Sequence, residues 1–525
     1  MQDIIKKHIE DILETNIVLE KPKDRVNGHY ATPIAFLLAK TLKKSPIIIA
    51  QDLVKKFDNS HIFQSVEAIK GFLNFRLSLD FINNIISSKD NFCKKDKNNH
   101  KILLEYVSAN PTGPLHIGHA RGAILGDTLF KIGQYLGYDI TREYYVNDAG
   151  SQMDLLALSI CLSAREFIYN EKVTYPEVYY RGDYLIDIAK SVIEKFGKDI
   201  IYDKSSYSKI AFFAKDLVLE LIKKDLLDIG IEFDSFISEK ELYSNWDEIH
   251  TRLEQNSALY KEDDKLFLKS TKFGDDSNRV VVRENNIPTY LAGDIIYHSN
   301  KFDRSYDKYI NIWGADHHGY IKRVKASIEF LDNDSNKLEI ILSQMVSLLK
   351  GGKPYKMSKR AGNVILLSDI FNKIGSDALR FIFLSKKSDT HLEFDLDIFN
   401  KKDSSNPIFY IQYAHARIHQ IFKKSTININ NIKDFKLDGL NDDGLNLLCE
   451  ALMLENILKE AFIKRDIQKI TNYLYNLSSL FHRFYSENKI VGSINEKAIL
   501  KTVFIVALCI KTALKLLGID AKNSM

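Results

Sequence analysis

Two histidines three residues apart, His116 and His119, follow a run rich in proline and glycine, Asn110-Pro111-Thr112-Gly113-Pro114. On the first turn of a helix that spacing puts both imidazoles on one face. Beside the exposed N–H groups of the helix start, they can donate hydrogen bonds to a phosphoryl group as its charge builds. Gly118 between them lets a flat ring approach the backbone. A lone histidine is more often structural; the pair in this setting points to phosphate chemistry. A second run answers the same need. From Lys350 to Arg360 five cations fall in eleven residues (Lys350, Lys353, Lys356, Lys359 and Arg360), with Gly351, Gly352 and Gly362 around them. Such a run attracts polyphosphate. By itself it reads equally well as a solvated basic loop. Together the two runs describe one site, with a nucleoside triphosphate on the helix start and a lysine loop over the leaving pyrophosphate. No GxxxxGK[ST] precedes a helix here, so this is not a Walker A loop.

The elements that must hold these residues are also legible. Residues 102–107 read as a buried strand, 116–136 as a helix stopped by Gly137, and 139–146 as the next strand. That order argues a parallel sheet, which places functional loops at the carboxyl ends of its strands. Another strand, 308–313, leads into Gly314-Ala315-Asp316-His317-His318-Gly319 and a helix. Residues 1 to about 80 look like a small α+β domain with a strand at 72–77, and 89–101 is a polar linker. From about 160 to 280 the pattern is mostly helical and charged, an insertion with no chemistry that can be isolated. Helices at 377–386, 405–424, 444–463, 466–487 and 495–517 predict a helical bundle.

Composition sets the frame. At about 150 residues per domain, 525 residues suggest roughly three domains. With 45% hydrophobic and 27% charged residues the chain is globular rather than disordered or collagen-like. The four cysteines, 93, 161, 449 and 509, are too scattered for a zinc ribbon or redox pair, and no metal-ligand set is expected. They read as buried thiols in a reducing compartment. No apolar run reaches the ~18 residues that span a bilayer, and the N-terminus lacks a signal-peptide plan. A cytoplasmic protein without membrane contact is expected. Residues 401–525 carry 18 Lys and Arg against 12 Asp and Glu, a net of +6, whereas residues 1–400 net −2. The excess fits either a solvated lysine-rich surface or a C-terminal domain that binds a polyanion.

His116-Ile117-Gly118-His119, followed at long range by Lys356-Met357-Ser358-Lys359, resembles the two signatures of class I aminoacyl-tRNA synthetases. The match narrows further. Ser108 to Pro114, Tyr145-Val146-Asn147-Asp148-Ala149-Gly150 and Trp313 to Gly319 resemble arginyl-tRNA synthetases. Asp377-Ala378-Leu379-Arg380 resembles the signature of that family's anticodon-binding domain, and the run from Asn406 to Arg417 its tRNA-contacting helix. The resemblance is weakest in 1–100 and 160–280.

The resemblance implies an α/β fold. A Rossmann-like parallel-sheet catalytic domain (99–376, insertion about 160–280) would stand between a small α+β tRNA-binding domain (1–98) and an all-α anticodon-binding bundle (377–525). It implies ATP with Mg2+, L-arginine and tRNA(Arg) as partners, a monomer, and activation that needs tRNA. His116, His119, Lys356 and Lys359 would be catalytic. Pro111, Thr112, Gly113, Gly118, Met357 and Ser358 would join His116, His119 and Lys359 in holding ATP. Tyr290-Leu291-Ala292-Gly293-Asp294 resembles the arginine-binding segment. If helical, it puts Tyr290 and Asp294 on one face, where Asp294 can pair with a guanidinium. Standing alone, Asp294 also reads, less well, as a surface carboxylate or a helix cap. Ser108, Asn110 and His119 would lie near the amino-acid head group, with Asp316 and His317 placed only by their strand-end loop. Asn406, Tyr410, Gln412, Tyr413 and Arg417 would contact tRNA. The i, i+3, i+7 spacing of Tyr410, Tyr413 and Arg417 suits a packed core stripe as well as a nucleic-acid platform. The alternatives are a synthetase for another amino acid, a non-catalytic tRNA-binding paralogue, and a small nucleotidylyltransferase. The zinc-bearing synthetases are disfavoured by the scattered cysteines, the paralogue by intact histidines and lysines, and the nucleotidylyltransferase by the basic helical C-terminus.

Overall fold

A computed structural model describes residues 1–87, 93–355 and 365–525. They form two compact units, residues 96–400 and residues 1–95 together with 401–525.

The 96–400 unit is built on five strands, β1 (Lys101–Glu105), β2 (Asp139–Val146), β3 (Ser235–Ser238), β4 (Lys308–Gly314) and β5 (Leu338–Ser343). All pair in parallel, in the order β5-β4-β1-β2-β3. Ile102, Leu103 and Leu104 are buried in succession, the unbroken apolar run of a strand covered on both faces. The chain steps from β1 through β2 to β3 on one side, then starts again on the other side with β4. Strand order reverses between β1 and β4, the place where open sheets of this kind bind ligands at the carboxyl ends of their strands. Helix α1 (Ile117–Tyr135) joins β1 to β2. It lies tightly against the sheet, since a Cβ on Gly126 would fall 2.3 Å from the Tyr106 ring. Helix α2 (Tyr290–Asp303) leads into β4, and α3 (Leu367–Leu384), kinked at Gly375, packs with α1. Arg380 of α3, in the sequence run expected to mark the C-terminal domain, is fully buried within this unit. It pairs with Asp127 of α1 and donates to the Ile229 carbonyl at 2.9 Å.

The insertion is not only helical. Besides helices Ser151–Ser163, Tyr184–Phe196 and Tyr207–Asp228 it holds an antiparallel sheet of Leu259–Glu262, Lys265–Leu268 and Arg279–Val282. These strands are four residues each, too short for their alternation to stand out from the charged background.

The second unit joins the two ends of the chain. Strands Tyr30–Thr32, Phe63–Ile69 and Phe72–Leu77 form an antiparallel sheet over a cluster of Phe57, Phe63 and Phe75. The helices include α4 (Pro407–Lys424), α5 (Gln468–Glu487) and α6 (Glu496–Leu516). The Met1 ammonium sits 3.0 Å from Glu455, and Lys21 2.9 Å from Glu450. No helix among the described residues is long and apolar enough to cross a membrane.

Candidate active site

The chain leaves β1 through a strained turn. Val107 and Ser108 stand at φ +69° and +42°, conformations that cost about 1–3 kcal/mol each. The turn is held by the Ser108 hydroxyl, which donates to Glu105 Oε1 at 2.9 Å and accepts from the Tyr145 N–H at 3.1 Å. Asn110 is exposed, and Pro111 and Thr112 are buried.

His116 then caps α1. Its Nδ1 accepts the Gly118 N–H at 3.1 Å, and His119 Nδ1 accepts the His116 N–H at 3.3 Å. The rings stack with centroids 3.6 Å apart. Gly118 serves this fold-back, because a Cβ there would lie 2.9 Å from the His116 ring. Burial lowers both histidines, His119 to about 3 with the neighbouring His116 adding to it, so both rings are neutral at physiological pH. With Nδ1 occupied as an acceptor, each ring carries its proton on Nε2, which leaves two neutral donors on one helix start. The chain just after the basic run, at Ile365 and Leu367, pairs with the start of α1. Ile117 N–H donates to the Ile365 carbonyl and Leu367 N–H to the Leu115 carbonyl, both at 2.9 Å. Lys356, Met357, Ser358 and Lys359 lie outside the described residues.

A group of acids gathers where α2 begins. Asp294 is half-buried, and burial raises it to about 7, helped by Glu239 and Glu105 and opposed by Arg323 and Lys301. Glu239, 4% exposed, is raised to about 7 by burial and by Asp148. Its Oε1 receives a long 3.4 Å hydrogen bond from Tyr243, and Tyr145 also hydrogen-bonds the carboxyl group. Its Oε2 is buried with no hydrogen-bond partner among the described residues. Glu239 presses on α2, since a Cβ on Gly293 would fall 2.5 Å from Oε1. Asp148 holds the turn that presents Glu239, accepting from Ser238 Oγ at 2.8 Å and from the Lys240 N–H at 3.0 Å. Tyr290 stands 52% exposed at the start of α2, its hydroxyl 3.7 Å from a Cβ placed on Gly150.

Beneath this group lies a polar network. Lys301, fully buried, donates to Glu105 at 2.5 Å and to Asn311 at 2.9 Å; Asn311 meets His298, and His298 Nδ1 contacts the Asp294 carbonyl at 2.8 Å. It ties β1, α2 and β4 together. Asp316 and His317 are placed differently. They are exposed on the turn after β4, 3.5 Å from each other.

In the second unit, Tyr410, Tyr413 and Arg417 line one half-buried face of α4. Arg417 donates to the Tyr413 hydroxyl at 2.8 Å and lies over the Tyr413 and Tyr485 rings; Tyr410 packs on His482 and Tyr475. Asn406 and Gln412 are not part of that face. Asn406 is buried as the cap of α4, and Gln412 is buried, donating to the Asp520 carbonyl at 2.8 Å. These amides are spent on the fold, which the sequence run could not distinguish from exposed contacts.

Three family descriptions match along the chain: "Arginyl tRNA synthetase N terminal domain" over residues 1–77, "tRNA synthetases class I (R), catalytic domain" over 81–416, and "DALR anticodon binding domain" over 411–525. A curated arginine–tRNA ligase of Aliarcobacter butzleri is 66% identical over 529 residues, covering all of both chains. The chain belongs to the class I arginyl-tRNA synthetases. A solved Campylobacter jejuni relative superposes with a TM-score of 0.82 at 54% identity, covering 86% of this chain and all of its own. Thermus thermophilus arginyl-tRNA synthetase shares the fold over all of both chains, with a TM-score of 0.78 at 18% identity.

Within this family frame, the structure adds Glu239, which the sequence reading passed over. It lies in the insertion, on a helix of four residues just after β3. Its one signal was Ser238 before an acidic turn, the pattern of a helix cap.

Proposed function

We propose that this chain is an arginine–tRNA ligase. It joins ATP, L-arginine and tRNA(Arg) to give AMP, diphosphate and L-arginyl-tRNA(Arg) by way of an arginyl-adenylate. The observation that carries the reading is the acidic pocket. Asp294 and Glu239 are both raised to about 7, Asp294 by burial and then by Glu239, Glu239 by burial and then by Asp148, and one Glu239 carboxylate oxygen is buried unpaired among the described residues. Such a site is relieved by a permanent planar cation, and a guanidinium offers five donors to two carboxylates.

With the side chain held there, Ser108 and Asn110 lie toward the amino-acid head group, and the arginine carboxylate is directed to the histidine pair. An arginine carboxylate oxygen attacks the α-phosphorus of ATP in line, forming a P–O bond as the bond to pyrophosphate breaks. The Nε2–H groups of His116 and His119 donate to the α-phosphoryl oxygens, where charge builds. Neutral rings suit this role, because they donate without giving up a proton. Lys359, with Lys356, holds the leaving pyrophosphate. Mg2+ accompanying ATP would screen the charge of its phosphates. The 2′-hydroxyl of the terminal adenosine then attacks the activated carbonyl, and AMP leaves. Tyr410, Tyr413 and Arg417 offer stacking faces and a cation to unpaired anticodon bases. Residues 1–98 serve as a further tRNA-binding domain. The enzyme works as a cytoplasmic monomer and needs tRNA for activation.

Charging of purified tRNA(Arg) with labelled arginine tests the pocket. Asp294→Asn should raise the arginine KM far more than the ATP KM. An unchanged arginine KM would remove Asp294 from the site.

A further inference from the structure

Two tyrosines of the insertion grip the loop before the histidines. The Tyr184 hydroxyl donates to the Thr112 carbonyl at 2.8 Å. The same oxygen would lie 3.0 Å from a Cβ on Gly113, so the phenol sits directly on the loop backbone. The Thr112 side chain hydrogen-bonds to the Tyr180 phenol, which also lies within electrostatic reach of Tyr290. Both polar groups of Thr112 outside its own N–H, the carbonyl and the hydroxyl, are thus held by phenols from one short segment. That N–H closes a tight turn on the Asn110 carbonyl at 2.8 Å.

The segment itself is fixed. Tyr180 N–H donates to Ser159 Oγ at 3.0 Å, and Ser159 is anchored on helix Ser151–Ser163. Gly182 stands at φ +140°, and a Cβ there would fall 2.8 Å from the Tyr184 ring. Only glycine lets the ring fold over the chain at that point.

We infer that Tyr184, with Tyr180, is a positioning residue for ATP. It sets the Thr112–Gly113 backbone, and through it the start of α1, at the place where the nucleotide binds. The inference rests on the ligase reading above. Tyr184→Phe keeps the ring and removes only the hydroxyl. In ATP–pyrophosphate exchange with tRNA present, it should raise the ATP KM about fivefold, the effect of one hydrogen bond. The arginine KM and tRNA affinity should stay unchanged. Gly182→Ala, which displaces the ring, should move the ATP KM in the same direction. An unchanged ATP KM in Tyr184→Phe overturns the inference. So does a joint rise of both KM values with a lower melting temperature, the mark of a purely structural role. Wild-type protein without arginine-dependent exchange overturns the ligase reading itself, and this inference with it.

Discussion

Arginine binding should release protons, and its affinity should fall steeply below pH 7. Glu239 is lifted by burial first and Asp148 second; Asp294 by burial, then Glu239 and Glu105. With both at about 7, the two acids together hold about one proton near pH 7 before arginine binds. A guanidinium favours both carboxylates in their charged form, so that proton must leave as arginine binds. For each proton released, Kd should rise about tenfold per pH unit below 7, or about 1.4 kcal/mol. The same acids set the stability of the empty protein. Their folded values lie above the ordinary 3.8 and 4.5, so the folded state binds more protons than the unfolded state between there and about 7. Their contribution to stability therefore falls as pH rises through that window. Lifting Glu239 from 4.5 to about 7 corresponds to about 3 kcal/mol lost above pH 7. Glu239→Gln should thus raise the melting temperature above pH 7 while arginine affinity collapses. Calorimetric titration of arginine in buffers of differing protonation heat, repeated from pH 5.5 to 8, reads both proton count and Kd. A flat Kd with no proton released would refute the reasoning.

Other outcomes follow from the same geometry. His119→Ala should slow adenylate formation about a hundred- to a thousandfold, the cost of one well-placed donor, with tRNA affinity nearly intact; an equal loss of both would show that the histidine is not confined to the first step. Arg380→Ala removes the buried partner of Asp127 and should cost about 3 kcal/mol of stability, read by thermal melting. A selective loss of tRNA binding without a change in melting temperature would contradict its structural placement. Arg417→Ala takes a cation and a stacking surface from the Tyr413–Tyr485 face. It should weaken tRNA binding, the more so at low salt, while leaving the arginine KM unchanged.

What the sequence made legible was local. The i, i+3 spacing of His116 and His119 placed both on one helical turn, and their rings stack there. Strand 139–146 lies where it was read, and the helix expected at 116–136 runs from Ile117 to Tyr135. Gly118 was legible as a point of close approach, yet what approaches is the His116 ring. Less was visible where function depends on distant partners. Glu239 lies within electrostatic reach of Asp294 across 55 residues of chain, and Tyr184 bonds Thr112 across 72. Neither pair leaves a periodic trace. Arg380 matches an expected signature by type, but its role depends on Asp127, 253 residues away, and on burial, which spacing does not encode. The short strands of the insertion were lost because four residues each carry too little alternation to stand out from the charged sequence around them.

The central claim is that this chain activates arginine. ATP–pyrophosphate exchange with each of the twenty amino acids, with and without total tRNA, tests it most directly. Exchange should appear with arginine alone, and only when tRNA is present. Exchange with a different amino acid would keep the class I chemistry and discard the acidic pocket as a guanidinium site. No exchange with any amino acid, while tRNA still binds, would contradict the assignment of catalysis altogether.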